Sequence, residues 1–432
     1  MIIQTDAIML LLGSFFVMMI LRIPIAFGLG LSAVITALYT GIPLAILAQA
    51  MAKGISSFSL LAIPFFILAG EIMGEGGMST RLIRFSNALV GKVRGGLAHV
   101  NVLASMFFGG ISGSSVADTS SIGSILIPMM KQKGYDDDYS VAVTITGSTQ
   151  GVLIPPSHNM IIYSLVAGSG VSVGALFMAG IVPGVFLGLA LMVAAYLIAV
   201  KRNYPVGEAS TWSEKLAATK GAFLGLFTVV IVVGGVITGF YTATEAAAVA
   251  ALYAFVVTFF VYRDVPLSHM GTILRKSLRT LAIVMALIAT SNAFGWMLAY
   301  LKVPALATEA LLGISDNKNV ILLVINVLLL ALGCIMDMAP LILITTPILM
   351  PVVYAIGVDP VHFGIIMMLN LSIGLLTPPV GSTLFVGCAI GKVKIEQLSK
   401  TMIPFYLVMI LVLMIITYIP SVVMFIPKLL LG

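Results

Sequence analysis

The sequence predicts an all-α polytopic membrane protein built from two inverted repeats, each a re-entrant helical hairpin followed by a broken transmembrane helix. Three observations carry this. The chain of 432 residues is 60% hydrophobic and 9% charged, with a mean hydropathy of +1.17, whereas a soluble domain is about one-quarter charged. Its apolar runs suit membrane helices and are too long for the strands of a membrane barrel. A shift of 223 residues also lays residues 110–160 on the second half without a gap, matching Gly110 with Gly333, Pro128 with Pro351, Asp136 with Asp359, Gly151 with Gly374 and Pro155-Pro156 with Pro378-Pro379.

The elements follow in order. Residues 6–21 and 24–40 form two spans, and no basic residue precedes the first, so no cleaved signal peptide is expected. Residues 43–57 are apolar but broken by Gln49, Lys53 and Ser56, and predict an interfacial amphipathic helix. A span at 58–74 leads to a basic loop at 81–94, the first hairpin at about 95–130, a charged turn, and a broken segment at about 139–166. An uncharged loop at 168–170 and a span at 174–200 follow. Residues 201–220 are polar, 221–240 and 244–262 pair across a tight turn, and 263–279 are basic and interfacial. Residues 280–300 span, 319–354 form the second hairpin, 362–390 the second broken segment, and 402–425 close the chain.

The topology turns on residues 109–121, Gly-Gly-Ile-Ser-Gly-Ser-Ser-Val-Ala-Asp-Thr-Ser-Ser, flanked by apolar sequence on both sides. Backbone at that depth must be satisfied by protein or line a wet cavity, so this tract reads as the tip of a re-entrant hairpin. The alternative is a crossing helix whose small residues allow close packing. Charge decides between them. With the N-terminus outside and both hairpins re-entrant, of the 22 Lys and Arg only Lys53, Lys302, Lys318 and Lys428 lie outside and 18 lie inside. Letting the first hairpin cross leaves 8 inside and 14 outside; letting the second cross leaves 16 and 6, a weaker distinction. Five crossings between the hairpins make the repeats inverted, which points to a secondary transporter. The net charge of +6 is thereby a topology signal and no argument for nucleic acid.

The chemistry gathers at the broken segments. Prolines 155 and 156 free the carbonyls of Gly151 and Val152, and Pro378 and Pro379 those of Gly374 and Leu375. With hydroxyls at Ser148, Thr149, Ser372 and Thr377, these suit a small hard cation. The half-helices that follow offer free N–H groups near Ser157–Asn159 and Gly381–Thr383, which attract anions. Paired proline kinks without a ligand are the plain alternative. Of the intramembrane acids Glu71, Asp118, Glu245 and Asp337, the two near the hairpin tips, Asp118 and Asp337, either help neutralise a cation or cap helix ends. Glu245, following Thr242, reads as a cap, and Glu71 has no assigned role. Cys334 and Cys388 read as free thiols, and the four His show no metal-ligand spacing. Gly110-Ile-Ser-Gly113 also matches the short motif of rhomboid intramembrane proteases, with Ser112 as nucleophile, but no His has that family's flanking residues. A channel is a third reading, without a filter-like sequence to support it.

Four stretches carry a resemblance: Ile-Ser-Gly-Ser-Ser-Val-Ala-Asp-Thr at 111–119, Phe-Ser-Leu-Leu-Ala-Ile-Pro-Phe-Phe-Ile-Leu-Ala-Gly-Glu at 58–71, Thr-Ala-Thr-Glu-Ala-Ala-Ala at 242–248 and Leu-Thr-Pro-Pro-Val-Gly at 376–381. Together the chain resembles, over nearly its whole length, the large membrane subunit of tripartite ATP-independent periplasmic (TRAP) transporters. The resemblance implies an elevator-type ion-transporter architecture. Scaffold helices and an amphipathic arm would occupy residues 1–57, transport-domain repeat 1 residues 58–200, further scaffold and arms 201–279, and transport-domain repeat 2 residues 280–432. It implies no enzymatic activity but sodium-coupled import of a carboxylate-bearing organic anion, such as a sialic acid, another sugar acid or a C4-dicarboxylate. Its implied partners are a four-helix small membrane subunit, here a separate chain, and a periplasmic substrate-binding protein, in a bacterial inner membrane with the N-terminus periplasmic. Sodium would bind at Ser112, Gly113, Ser114 and Ser115 with Gly147, Ser148 and Thr149, and at Gly333 and Asp337 with Gly374 and Thr377. The anion would meet Ser115, Asp118, Pro155, Pro156, Ser157, Asn159, Pro378, Gly381, Ser382 and Thr383. A stand-alone sodium/anion symporter is the alternative.

Overall fold

A computed structural model describes residues 2–168 and 170–431; Ser169, in the expected uncharged loop, lies outside the described residues. They form helices throughout, with one isolated bridge between Arg94 and Val206. The chain opens with α1 (Ile2–Ile20), α2 (Ile25–Thr40) and the amphipathic α3 (Leu44–Ile55). A 3-10 turn at Phe58–Leu61 leads into α4 (Ala62–Glu75), followed by α5 (Met78–Val90). The first hairpin is α6 (Gly96–Ser112) and α7 (Ser115–Gln132). The first broken helix is α8 (Asp137–Ser148), one turn α9 (Gln150–Leu153) and α10 (His158–Ala167), and α11 (Val173–Lys201) follows. Next, α12 (Trp212–Val229) continues through a π-helical stretch into α13 (Gly235–Ile237), and α14 (Ala243–Val256) returns. α15 (Met270–Tyr300) and α16 (Val303–Leu312) lead to the second hairpin, α17 (Lys318–Gly333) and α18 (Met338–Ala355). The second broken helix is α19 (Pro360–Gly374) and α20 (Ser382–Gly391), and α21 (Ile395–Tyr418) and α22 (Pro420–Leu431) end the chain.

Seven helices among the described residues are long and apolar enough to cross a bilayer, and the chain is a multi-pass membrane protein. The pieces of both broken helices are shorter, at 12, 4 and 10 residues in the first and 15 and 10 in the second. Large apolar side chains such as Phe27, Leu197 and Leu407 face outward, as expected where the solvent is lipid. The helix starts are set by local chemistry. Ser114 and Ser172 cap α7 and α11, Asp359 caps α19 with Pro360 in its first turn, and Thr242 with Glu245 forms a capping box on α14. Glu245 is thus a cap, as its spacing from Thr242 predicted.

Three expectations are corrected. Residues 81–94 are largely helix: α5 turns Met78, Leu82 and Ile83 inward and Arg84 outward, an amphipathic pattern that the basic residues obscured. The basic stretch 263–279 joins the following span, because α15 runs unbroken from Met270 through Arg275 and Arg279 to Tyr300. The hairpin tip is Gly113 and Ser114 alone, since the small residues on either side of it still complete helical turns of α6 and α7.

Two contacts recur in both repeats. The first hairpin arm crosses the broken helix glycine on glycine: a Cβ on Gly109 would lie 2.3 Å from the Cα of Gly151, and a Cβ on Gly374 would lie 2.6 Å from the Cα of Gly333. The crossing uses Gly109, one residue from the Gly110 that ungapped alignment matches with Gly333. The second half of each broken helix then packs on the other repeat, α10 against α18 and α20 against α7. Gly387 and Gly391 of α20 lie on Val141 and Ile145 of α8, and Gly364 of α19 on Tyr163 of α10. The charged turn before α8 ties this core to its neighbours: Arg202 bonds Asp136 at 2.8 Å, Thr401 bonds Asp138, and Lys131 Nζ donates to the Gly391 carbonyl at 2.5 Å.

The glycine crossings predict a specific pattern of stability. Gly151→Ala and Gly374→Ala each force two backbones apart and are expected to cost about 1–3 kcal/mol. Gly221→Ala, where a Cβ meets open space, is expected to stay within about 1 kcal/mol of the parent. Thermal unfolding in detergent measures all three, and equal effects at the three positions would refute the crossings.

Candidate functional site

Both breaks are built by the same sequence device. The Pro155-Pro156 and Pro378-Pro379 bonds are cis, and each ends the first half of its broken helix beside a hairpin tip. At the first break, Gly113 adopts φ +62°, and a Cβ there would lie 2.7 Å from the Pro156 carbonyl oxygen. Only glycine combines that backbone conformation with that approach. At the second break, the Val380 N–H donates to the Cys334 carbonyl at 3.1 Å, joining tip to break directly. The carbonyls freed by proline find partners there: Gly374 O accepts from Thr377 N at 2.9 Å and Leu375 O from Leu384 N at 3.3 Å. At the first break, the side chain of Gln150 folds back to the Gly147 carbonyl at 2.9 Å.

The tertiary fold gathers four buried hydroxyls from three helices. Thr119 donates to Ser148 at 2.9 Å, Ser115 and Ser148 lie 2.8 Å apart, and Thr383 donates to Ser115 at 3.2 Å. The single hydroxyl proton of Ser148 goes to the Ile145 carbonyl at 2.8 Å. Proton counting then fixes the remaining direction: Ser115 must donate to Ser148. Ser148 Oγ accepts two bonds and is saturated, while Ser115 accepts one and keeps a free lone pair. The sequence marks Ser115 and Ser148 in the first repeat and Thr383 in the second; Thr119 lies in the same Gly/Ser/Thr-rich tract, with no expected role.

Asp118 lies one turn into α7, wholly buried, with the Ser105 hydroxyl of α6 as the one group engaging its carboxylate among the described residues. The Ser157 hydroxyl and the Asn159 carbonyl oxygen, at the start of α10, are also buried, and are unpartnered. The other predicted residues divide. Gly147 packs against α6, and Gly381 comes against the Leu375 carbonyl. Thr149 and Thr377 turn their hydroxyls back to their own helices, onto Thr146 O at 2.6 Å and Ile373 O at 2.8 Å. Ser112 bonds within the tip, to the N–H of Ser114 at 3.4 Å, and Ser114 caps Ala117 N at 3.4 Å; no histidine bonds Ser112 among the described residues. Asp337 accepts from Ser382 at 3.1 Å on an exposed surface, apart from the hydroxyl chain. Tyr406 of α21 donates to the Leu376 carbonyl at 2.5 Å, bracing the second break. Nothing in the local sequence around Tyr406 marks it, because its partner lies 30 residues away.

Comparison with known proteins identifies the family and the fold. A family model described as "Tripartite ATP-independent periplasmic transporter, DctM component" matches residues 12–422. The isethionate TRAP transporter permease protein DctMQ of Oleidesulfovibrio alaskensis is 42% identical, over 97% of this chain and 66% of its own. The sialic acid TRAP transporter large permease protein SiaM of Vibrio cholerae is 40% identical, over 95% of this chain and 96% of its own. The solved structure of the YdaH transporter of Alcanivorax borkumensis shares the fold, with a TM-score of 0.65 at 16% identity and 90% of each chain covered.

The hydroxyl chain makes a testable claim about which residues meet. In a double-mutant cycle on unfolding, Ser115→Ala and Thr383→Val are expected to couple by about 0.5–1.5 kcal/mol. Thr119→Val should couple with Ser148→Ala but not with Thr383→Val. Additivity between positions 115 and 383 would dissolve the contact between the repeats.

Proposed function

Because the chain belongs to the DctM component of tripartite ATP-independent periplasmic (TRAP) transporters, we propose that it is the large permease of a sodium-driven importer of a small organic anion. The observation that carries this reading is the set of buried polar atoms in the first hairpin and the first break: the Asp118 carboxylate, engaged by Ser105, and the unpartnered Ser157 Oγ and Asn159 Oδ1. Such groups are costly inside a bilayer and mark a ligand pathway. Relatives are named for sialic acid and isethionate, both organic acids, and a sialic acid, another sugar acid or a C4-dicarboxylate is the proposed cargo. A periplasmic binding protein delivers it, and a small four-helix membrane subunit completes the membrane part, a pairing the DctMQ relative's name supports.

In this reading each repeat holds one sodium ion. The first ion takes the free lone pair of Ser115 with backbone oxygens near Gly113 and Gly147, while Ser148, already saturated, aims Ser115 and Thr149 supports the turn. The second ion takes carbonyls around Gly333, Gly374 and Thr377, with Asp337 supplying the compensating charge. The anion meets the start of α10, at Ser157 and Asn159 beyond Pro155 and Pro156, and the start of α20, at Gly381, Ser382 and Thr383 beyond Pro378. Residues 58–200 and 280–432 then move as the transport domain of an elevator against the scaffold. The bacterial inner membrane with a periplasmic N-terminus is the orientation that the basic residues favour.

Uptake into proteoliposomes holding this chain and its small subunit tests the reading. Labelled sialic acid or C4-dicarboxylate presented on a binding protein should enter only under an inward sodium gradient. Uptake without any binding protein would identify a stand-alone symporter instead. Asp337→Asn is expected to weaken sodium activation severalfold, and unchanged activation would remove Asp337 from the second ion site. Cysteines introduced at residues 137 and 207 should react only with a cytoplasmic reagent; labelling from outside would reverse the topology.

A further inference from the structure

Two of the four basic residues that the charge pattern leaves outside, Lys318 and Lys428, line one cavity of about 400 Å³. They are 110 positions apart in sequence, at the start of α17 and the last turn of α22, so only the fold unites them. Among the described residues neither ammonium has an ion-pair or hydrogen-bond partner. Several other polar groups of the cavity are engaged. Asp359 accepts from the N–H groups of Val361 and His362 through Oδ1 alone, at 2.7 and 3.2 Å. His362 is bonded through Nε2 to the Ile416 carbonyl at 2.7 Å, and the Tyr418 hydroxyl donates to the Asn319 carbonyl at 3.2 Å. The cavity therefore sets two cations and the carboxamide of Asn319 against the single carboxylate of Asp359, a net positive set of donors that suits the single charge of a phosphodiester.

The surroundings say which phosphate. The volume falls within the range of roughly 300–1,000 Å³ usual for small-molecule sites, and the inner wall is apolar at Leu322, Val358 and Met424. Beside Lys428, α22 exposes Phe425, Leu429 and Leu430, at 60%, 70% and 51%. Charge and apolar surface therefore adjoin, with the lysines at helix ends and bare hydrocarbon next to them. A free anion has no use for that surface, whereas a phospholipid covers it with its acyl chains. We propose that this cavity is a site for the headgroup of an anionic phospholipid, held by Lys318 and Lys428. The site is remote from the tips and breaks and stands whether or not transport is sodium-coupled.

The test uses the full chain purified in detergent and measures thermal unfolding with added phosphatidylglycerol, phosphatidylcholine or inorganic phosphate. Phosphatidylglycerol is expected to raise the midpoint and the other two to leave it in place. The double variant Lys318→Gln/Lys428→Gln should respond at least fivefold more weakly, as judged by the lipid concentration giving half the shift. Lys318→Arg/Lys428→Arg should retain the response, and keeps the test decisive if the glutamine pair does not fold. An equal response to phosphatidylcholine, or an unchanged response in the glutamine pair, overturns the proposal. A response to inorganic phosphate alone would make this a soluble-anion site. If the charge pairs instead with an acidic surface of a partner protein, the lysine variants would lose partner binding while their lipid response stayed intact, which also overturns it.

Discussion

Backbone that leaves the helix inside hydrocarbon must find its partners within the protein, and in this chain two glycine-on-glycine crossings make that possible. With no side chain between them, Gly109 meets Gly151 and Gly333 meets Gly374 at backbone distance. Each hairpin arm is thereby pressed against the broken helix just before the double proline. The breaks then have neighbours to bond with: Gln150 on the Val102 carbonyl of α6, Val380 on Cys334, Tyr406 on Leu376. The helix after each broken helix supplies the outer support by different chemistry. In the first repeat it is the stripe Gly180, Gly184 and Gly188 of α11, close against Leu153, Ile154 and Gln150. In the second it is one tyrosine hydroxyl on α21.

The two repeats share an architecture but not a chemistry. Each sends the second half of its broken helix across to the other, α10 onto α18 and α20 onto α7. At the α20 junction a directed chain runs from Thr383 through Ser115 to Ser148 and leaves little unsatisfied. At the start of α10, Ser157 and Asn159 are buried with side-chain oxygens that no group among the described residues engages. The acids differ likewise. Asp118 is buried in the first repeat where the aligned position holds Leu341, and the second repeat carries its acid at Asp337, exposed at the tip. Internal symmetry broken in this way gives the two repeats unlike polar surroundings.

Much of the fold was legible in the chain itself. Membrane character, the repeat, the two hairpins and the two breaks follow from composition, spacing and the double prolines, because hydrocarbon leaves few ways to satisfy a backbone. Errors arose where a helix is amphipathic or continues past the bilayer, as at α5 and the start of α15, since charge alone does not distinguish a loop from a helix in water. The tip was read too widely for a related reason: small residues at 109–112 and 115–121 permit a loop but equally permit tight helix packing.

Within the site, the sequence by itself determined the residue types and the repeat positions: hydroxyls at Ser115 and Ser148, carboxylates at Asp118 and Asp337, and prolines that end the half-helices. The tertiary structure alone decided which of these meet. Ser115 touches Thr383 across 268 positions, Tyr406 braces a break 30 positions away, and Lys318 shares a cavity with Lys428. The physical reason is one of range. Helix breaking and burial in lipid are local properties that a short stretch of chain expresses unaided. A hydrogen bond between repeats depends on how helices cross to within a few tenths of an ångström, which the packing of the whole core settles.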